Sequence, residues 1–338
     1  MTSTTFLFAG VPFLLAACGT WLLVHFANKV GMMDTPNHRS LHEVPTARTG
    51  GLAICLAVFA GFGMLLLRED SSPLTWIFGC SASIALISFL DDKFSLSAAP
   101  RMLAHLLTAG TFLWGFEVPT ELLLPGATWH WPPLVATIFS VLFIAWLINL
   151  YNFMDGMDGF SGGMTVVGFG TFAVIGLSAD SPLFSLASTV VALSGLGFLL
   201  FNFPPARIFM GDVGASTLGF LVATFAIWAN QESICPLWVS VLLFSPFIAD
   251  ATVTLFTRAV KGERIWEAHR SHHYQRLVLS GWSHRRTVLL EYVFMAAAAG
   301  SSFLATRTES YQWLLAVGSV AIYGLFFSWV RFTSEQTS

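Results

Sequence analysis

Four polar residues step by three through one short stretch: Asn149, Asn152, Asp155 and Asp158 in "NLYNFMDGMDG". They follow "TIFSVLFIAWLI", residues 137–148, which is almost pure hydrocarbon. Two amides and two carboxylates are more than a helix C-terminus needs for its free carbonyls. On an ideal α-helix such a row drifts about 60° per step and rises about 13 Å over nine residues. A straight helix therefore cannot present all four on one face, and Gly156 and Gly159 predict that it frays or bends near Asp155. A drifting row of that length suits an extended polar ligand, such as a nucleoside diphosphate, better than a point ion.

Other polar groups have comparable settings. Asp91 and Asp92 end the apolar run "ISFLDDKF". Neighbouring carboxylates repel unless a cation is near, and on a helix they point about 100° apart. One can face a metal or a nucleophile while Lys93 or Arg101 holds the other; a solvated helix end is the alternative. Asp212 lies between glycines in "PPARIFMGDVGAS". There it can act as the N-cap of the next helix or hold Mg²⁺ beside a phosphate. Phe209, three residues earlier, is placed to stack on a base or to fill core.

"HRSHH" gathers His269, Arg270, His272 and His273. With no Cys and no HExxH spacing, this reads as a cationic arm for phosphate oxygens rather than a zinc site. The preceding "TLFTRAVKGERIWEAH" reads as an interfacial helix. Asp250, inside an apolar run, is either a functional carboxylate or a buried structural partner. Together Asp91, Asp92, Asp155, Asp158 and Asp212 bring five negative charges to one region. Such a set is stable only if a divalent cation sits among the carboxylates and the Arg/His arm closes from the other side. The chemistry this supports is phosphoryl transfer between anionic substrates.

The elements that carry these residues are membrane spans. The chain has 338 residues, 55% hydrophobic and only 10% charged, where soluble domains are about 25% charged. Eleven segments are long and apolar enough to be candidate spans: 5–27, 49–67, 73–90, 102–116, 133–150, 162–178, 183–201, 214–230, 235–257, 287–305 and 311–330. Every Lys and Arg except Arg68 and Arg307 then falls on one side. The positive-inside rule makes that side cytoplasmic, with the N-terminus outside and the C-terminus inside.

The sequence thus predicts an all-α polytopic membrane protein with about eleven transmembrane helices and a site on the cytoplasmic face. It reads as one integral-membrane domain over 1–338, with cytoplasmic loops 28–48, 91–101, 149–162, 202–213 and 258–286. No internal repeat stands out. Cys18, Cys55, Cys80 and Cys235 are scattered singly and read as small core residues. A secondary transporter would place its carboxylates near the midplane, and only Asp250 fits that pattern.

The set "DDKFSLSA", "NLYNFMDGMDGFSGG", "FPPARIFMGDVGASTLG" and "HRSHHYQRL", in this order, resembles the polyprenyl-phosphate N-acetylhexosamine-1-phosphate transferases. The resemblance spans 34–277, and "DTPNHRSLHEVPTARTGGLAI" looks like the WecA/WbpL branch. It implies transfer of a sugar-1-phosphate from a UDP-N-acetylhexosamine to undecaprenyl phosphate, with release of UMP. It implies Mg²⁺ as cofactor, with Mn²⁺ as a substitute, held by Asn152 and Asp212. Asp91 and Asp92 match the acidic pair at the lipid phosphate. Asn149, Asp155, Asp158 and Phe209 match substrate-binding positions. His269, Arg270 and His272 match the arm that grips the diphosphate, while Arg39, His42, Arg101, Asp250 and His273 are secondary candidates. The resemblance further implies the bacterial inner membrane, a lipid environment, no nucleic-acid partner and an initiating step of envelope polysaccharide synthesis, with a homodimer left open. Two features depart from the pattern. Ala47 stands where the branch has Pro, an exchange expected to loosen a turn. "KFSLSA" lacks the Lys that MraY-type enzymes carry after the acidic pair, which argues against the peptidoglycan branch.

Overall fold

The computed structural model describes residues 3–30, 33–36, 41, 44–94, 96–264 and 269–335. Arg39 and His42 lie outside the described residues, as do 265–268 of the expected interfacial helix. All eleven expected segments are helical. They are α1 (Ser3–Val30), α2 (Gly50–Leu66), α3 (Ser72–Phe94), α4 (Ala98–Gly115), α5 (Pro133–Met154), α6 (Phe160–Ser178), α7 (Pro182–Asn202), α8 (Gly211–Gln231), the pair α9 (Leu237–Leu243) and α10 (Ser245–Val260), and, after the short α11 (His273–Leu279), α12 (His284–Ala305) and α13 (Gln312–Glu335).

Among the described residues, eight helices are long and apolar enough to cross a membrane, and α9 with α10 makes a ninth if the pair is one span. That pair bends by 84° at Phe244. The apolar α2 has only 17 residues, and α4, which carries Arg101 and His105, is not among the eight. The protein is an all-α polytopic membrane protein. Two small antiparallel pairs were not expected: β1 (Met33–Asp34) with β2 (Thr46–Ala47), and a hairpin of β3 (Glu121–Leu124) and β4 (Ala127–His130) joining α4 to α5.

The bundle is organised around α8. Nineteen of its 21 residues are buried, and the exceptions, Asp212 and Gln231, stand one at each end. A helix that is apolar on every face belongs in a core. It packs against α2, α3 and α5. Small residues set the contact distance, because side chains there would hold the backbones apart. A Cβ on Gly51 of α2 would lie 2.2 Å from the Gly214 nitrogen, and one on Gly219 would lie 2.4 Å from the Leu147 carbonyl oxygen of α5. Farther along, Phe169, Phe184, Phe225 and Trp228 pack edge to face and tilted around the same helix. The N-terminus of α8 is thereby fixed where α2, α3 and α5 meet.

Candidate active site

The first loop and the start of α8 are one unit. Phe209 N–H donates to the Ala47 carbonyl at 2.7 Å, Gly50 N–H to that of Phe209 at 2.9 Å, and Gly51 N–H to that of Met210 at 2.7 Å. The glycines permit this knitting. A Cβ on Gly50 would meet the Phe198 ring at 2.3 Å. Gly211 has φ +74, a left-handed conformation that favours glycine, and lies against the Arg48 carbonyl. Ala47 does not loosen a turn: it is buried, pairs with Met33 and bridges to Ile208.

This unit delivers a residue that the sequence reading counted only as a loop charge. The Arg48 guanidinium pairs with Asp212 and lies 3.7 Å from Asp92. The one sequence signal was a basic residue directly before a glycine pair that must pack closely. Asp212 is the second residue of α8 rather than its N-cap, which is Met210. It still lies in the first turn, where free N–H groups favour negative charge.

Around that point the expected residues divide. Asp91 accepts from Arg101 at 2.7 Å, whereas Asp92 points to Arg48 and the Val213 amide. Helix α5 ends at Met154, so Asn152 is in its last turn and Asp155 follows it. Asn152 Nδ2 donates to Ser216 Oγ at 2.9 Å, one helical turn beyond Asp212. That bond fixes the amide, yet Asn152 Oδ1 is buried without a hydrogen-bond partner. A buried acceptor left alone is costly, so Asn152 Oδ1 has capacity for a further partner. Asp155 sits beside Ser161 and the Gly211 amide, and burial pushes its carboxyl up to about 7.

Other members of the row turn elsewhere. Asn149 donates back to the Ala145 carbonyl of its own helix at 2.7 Å. Asp158 accepts from Ala206 N–H at 3.0 Å and lies 3.1 Å from His284 Nδ1, bracing the α5–α6 loop against the α7–α8 loop and α12. Asn202, unremarked in the sequence, ties the same region by bonding the Gly159 amide and the Ile208 carbonyl. Phe209 is half-buried, and its main chain carries the knitting described above.

The arm is seated by Asp250. Its carboxylate accepts from the His273 and Tyr274 amides at 3.0 and 3.2 Å, so it caps the N-terminus of α11 from another helix. His273 Nδ1 lies 3.0 Å and His272 Nδ1 3.4 Å from the same oxygen. His272 and His273 are therefore buried on α10, whereas Arg270 is exposed and His269 half-buried. Tyr274 Oη donates to the Phe153 carbonyl at 3.2 Å, bringing the arm alongside the last turn of α5.

The donor set suits a hard cation. Asn152 Oδ1 and the Asp212 carboxylate are oxygens that Mg²⁺ accepts while keeping waters and phosphate oxygens as its remaining ligands. Among the described residues, no group of three or more His, Cys, Asp or Glu could hold a metal ion by itself. A cation here would take its remaining ligands from water or substrate oxygens.

A sequence model of glycosyl transferase family 4 matches residues 74–230. A probable undecaprenyl-phosphate N-acetylglucosaminyl 1-phosphate transferase of Bacillus subtilis is 33% identical over 284 residues, covering 81% of this chain and 77% of that protein. A phospho-N-acetylmuramoyl-pentapeptide-transferase of Halalkalibacterium halodurans is 28% identical, covering 78% and 84%. A decaprenyl-phosphate N-acetylglucosaminephosphotransferase of Mycobacterium leprae is 28% identical, covering 90% and 85%.

Proposed function

We infer the reaction from one premise: the chain belongs to glycosyl transferase family 4, the polyprenyl-phosphate N-acetylhexosamine-1-phosphate transferases. It transfers N-acetylhexosamine-1-phosphate from a UDP-sugar to undecaprenyl phosphate and releases UMP. The observation that carries this reading is the orphaned Asn152 Oδ1, whose amide is fixed on Ser216, one helical turn from Asp212, which itself pairs with Arg48 near Asp92. Four groups of such chemistry at a helix N-terminus suit a diphosphate.

Asn152 and Asp212 would hold Mg²⁺, which would supply charge neutralisation on the donor diphosphate. Arg270 and His269 reach it from the arm. Asp92 positions the lipid phosphate and takes its residual proton; Asp91 is committed to Arg101. A lipid phosphate oxygen attacks the sugar-bearing phosphorus, the bond to the bridging oxygen breaks, and UMP leaves with that oxygen. One phosphoanhydride is exchanged for another, so the chain's task is alignment and charge neutralisation.

The lipid acceptor requires a site at a bilayer surface, and Asp92 at the end of an apolar helix meets that need. The charge partition supports a cytoplasmic site, eleven spans and residence in the bacterial inner membrane. The stretch after the acidic pair favours an O-antigen or other envelope polysaccharide over peptidoglycan. The test is product formation from labelled UDP-N-acetylhexosamine by wild type, Asp212→Ala and Asn152→Ala. Wild type makes butanol-extractable label. Each variant, eluting as folded protein, loses at least about 100-fold. Near-normal turnover by both would remove the metal assignment.

A further inference from the structure

The Arg48 backbone is held on both sides, while its side chain has one open face. Its carbonyl is covered by Gly211, and Gly50 and Gly51 are pinned by their hydrogen bonds to Phe209 and Met210. Its side chain is 40% exposed, so the guanidinium has open space beside it. It pairs with Asp212 and reaches Asp92 on α3, with Asp155 close by. Asp212 and Asp92, on two helices, thus share one guanidinium, with Asp155 and Asp34 within its field. The pair with Asp212 uses the same carboxylate that the functional reading gives to the divalent cation. Two cations on one carboxylate repel at such range. A guanidinium moved off a carboxylate is well suited to bidentate binding of a phosphate.

We propose that Arg48 is an exchangeable counter-cation: it holds Asp212 and Asp92 together until a divalent cation takes Asp212, and its guanidinium then turns to the donor's phosphate. The inference rests on the metal assignment above and adds that cation binding and release of Arg48 are one event. The enzyme would then avoid two costly states. Its carboxylates are never left unneutralised, and the guanidinium becomes available for the diphosphate only when the cation is present.

The experiment is Mn²⁺ binding to purified protein without nucleotide, read by the free-ion paramagnetic signal, together with melting in EDTA and in Mn²⁺. Removing a competitor must strengthen metal binding. Arg48→Met is expected to bind Mn²⁺ about tenfold more tightly than wild type, equivalent to about 1.4 kcal/mol. It should melt below wild type in EDTA, and Mn²⁺ should close that gap. Equal or weaker Mn²⁺ binding by Arg48→Met, or a melting gap that Mn²⁺ leaves open, would make Arg48 a fixed structural brace and overturn the proposal. If Arg48→Met does not fold, Arg48→Met with Asp92→Asn removes the repulsion as well. Its Mn²⁺ affinity must then exceed that of Asp92→Asn alone. Wild-type Mn²⁺ binding indistinguishable from that of Asp212→Asn would instead defeat the metal assignment on which this inference stands.

Discussion

Asp91 and Asp92 are neighbours with different partners, and this separates roles that the sequence left joined. Asp91 is tied to Arg101, so its loss is a packing and charge defect, whereas Asp92 faces Arg48 and the start of α8. Asp92→Asn is expected to lower kcat by at least about 100-fold, while Asp91→Asn stays within about tenfold and mainly lowers the melting temperature. The reverse order, from product formation by folded variants, would exchange their roles. Asp155 gives a pH signature. Burial raises its folded carboxyl from 3.8 to about 7, so the folded state holds a proton that the unfolded chain has released. The resulting stability is present below the unfolded value and is lost as pH rises towards 7. In EDTA, the melting temperature of wild type should fall more steeply between pH 4 and 7 than that of Asp155→Asn; parallel curves would show that Asp155 ionises normally. At this scale the sequence made residue types legible but not pairings. The row from Asn149 to Asp158 reads as one ligand surface, yet Asn149 bonds its own helix and Asp158 bonds the Ala206 amide. Those outcomes depend on where α7, α8 and α12 arrive, which no local spacing encodes.

Each helix end at the site is held by a contact that the pattern of apolar residues does not contain. Asp250 is the clearest case: a carboxylate inside an apolar run accepts two α11 amides and meets two histidines, so it seats a neighbouring element. Asp250→Ala should therefore leave α10 in place but free the arm. The expected readouts are faster proteolysis within 261–280 and a KM for the UDP-sugar raised about tenfold or more, the scale of losing a cap with its buried partners. Normal proteolysis with a pure loss of kcat would place Asp250 in the chemistry instead. The apolar helices were legible because a span announces itself by length and composition, and eight of them, or nine with the bent pair, are long and apolar enough to cross a membrane among the described residues. The break at Phe244 was not, because no charge or glycine marks it; Pro246 sits in the first turn of α10, a position helices tolerate. The β3–β4 hairpin was also missed. Its strands are short and exposed, and their only local signal is the Pro125–Gly126 turn.

Across the whole molecule, one buried helix converts membrane packing into site geometry. Helix α8 is apolar on all sides and crossed closely at Gly214 and Gly219, so it can occupy only the centre of the bundle. Its N-terminus then receives Asp92 from α3, Asn152 from α5 and Arg48 from the loop before α2. In the proposed reaction the lipid acceptor reaches that point from the bilayer and the soluble donor meets it from the side of the arm. In the proposed reaction these groups exchange a sugar phosphate between a nucleotide and a lipid. It is tested by UMP release from purified protein with Mg²⁺, across UDP-N-acetylhexosamines, with and without undecaprenyl phosphate. UMP is expected from at least one donor only when the lipid is present, in equal amount with a lipid-linked sugar. UMP release that ignores the lipid, or none from any donor by folded protein, would contradict it.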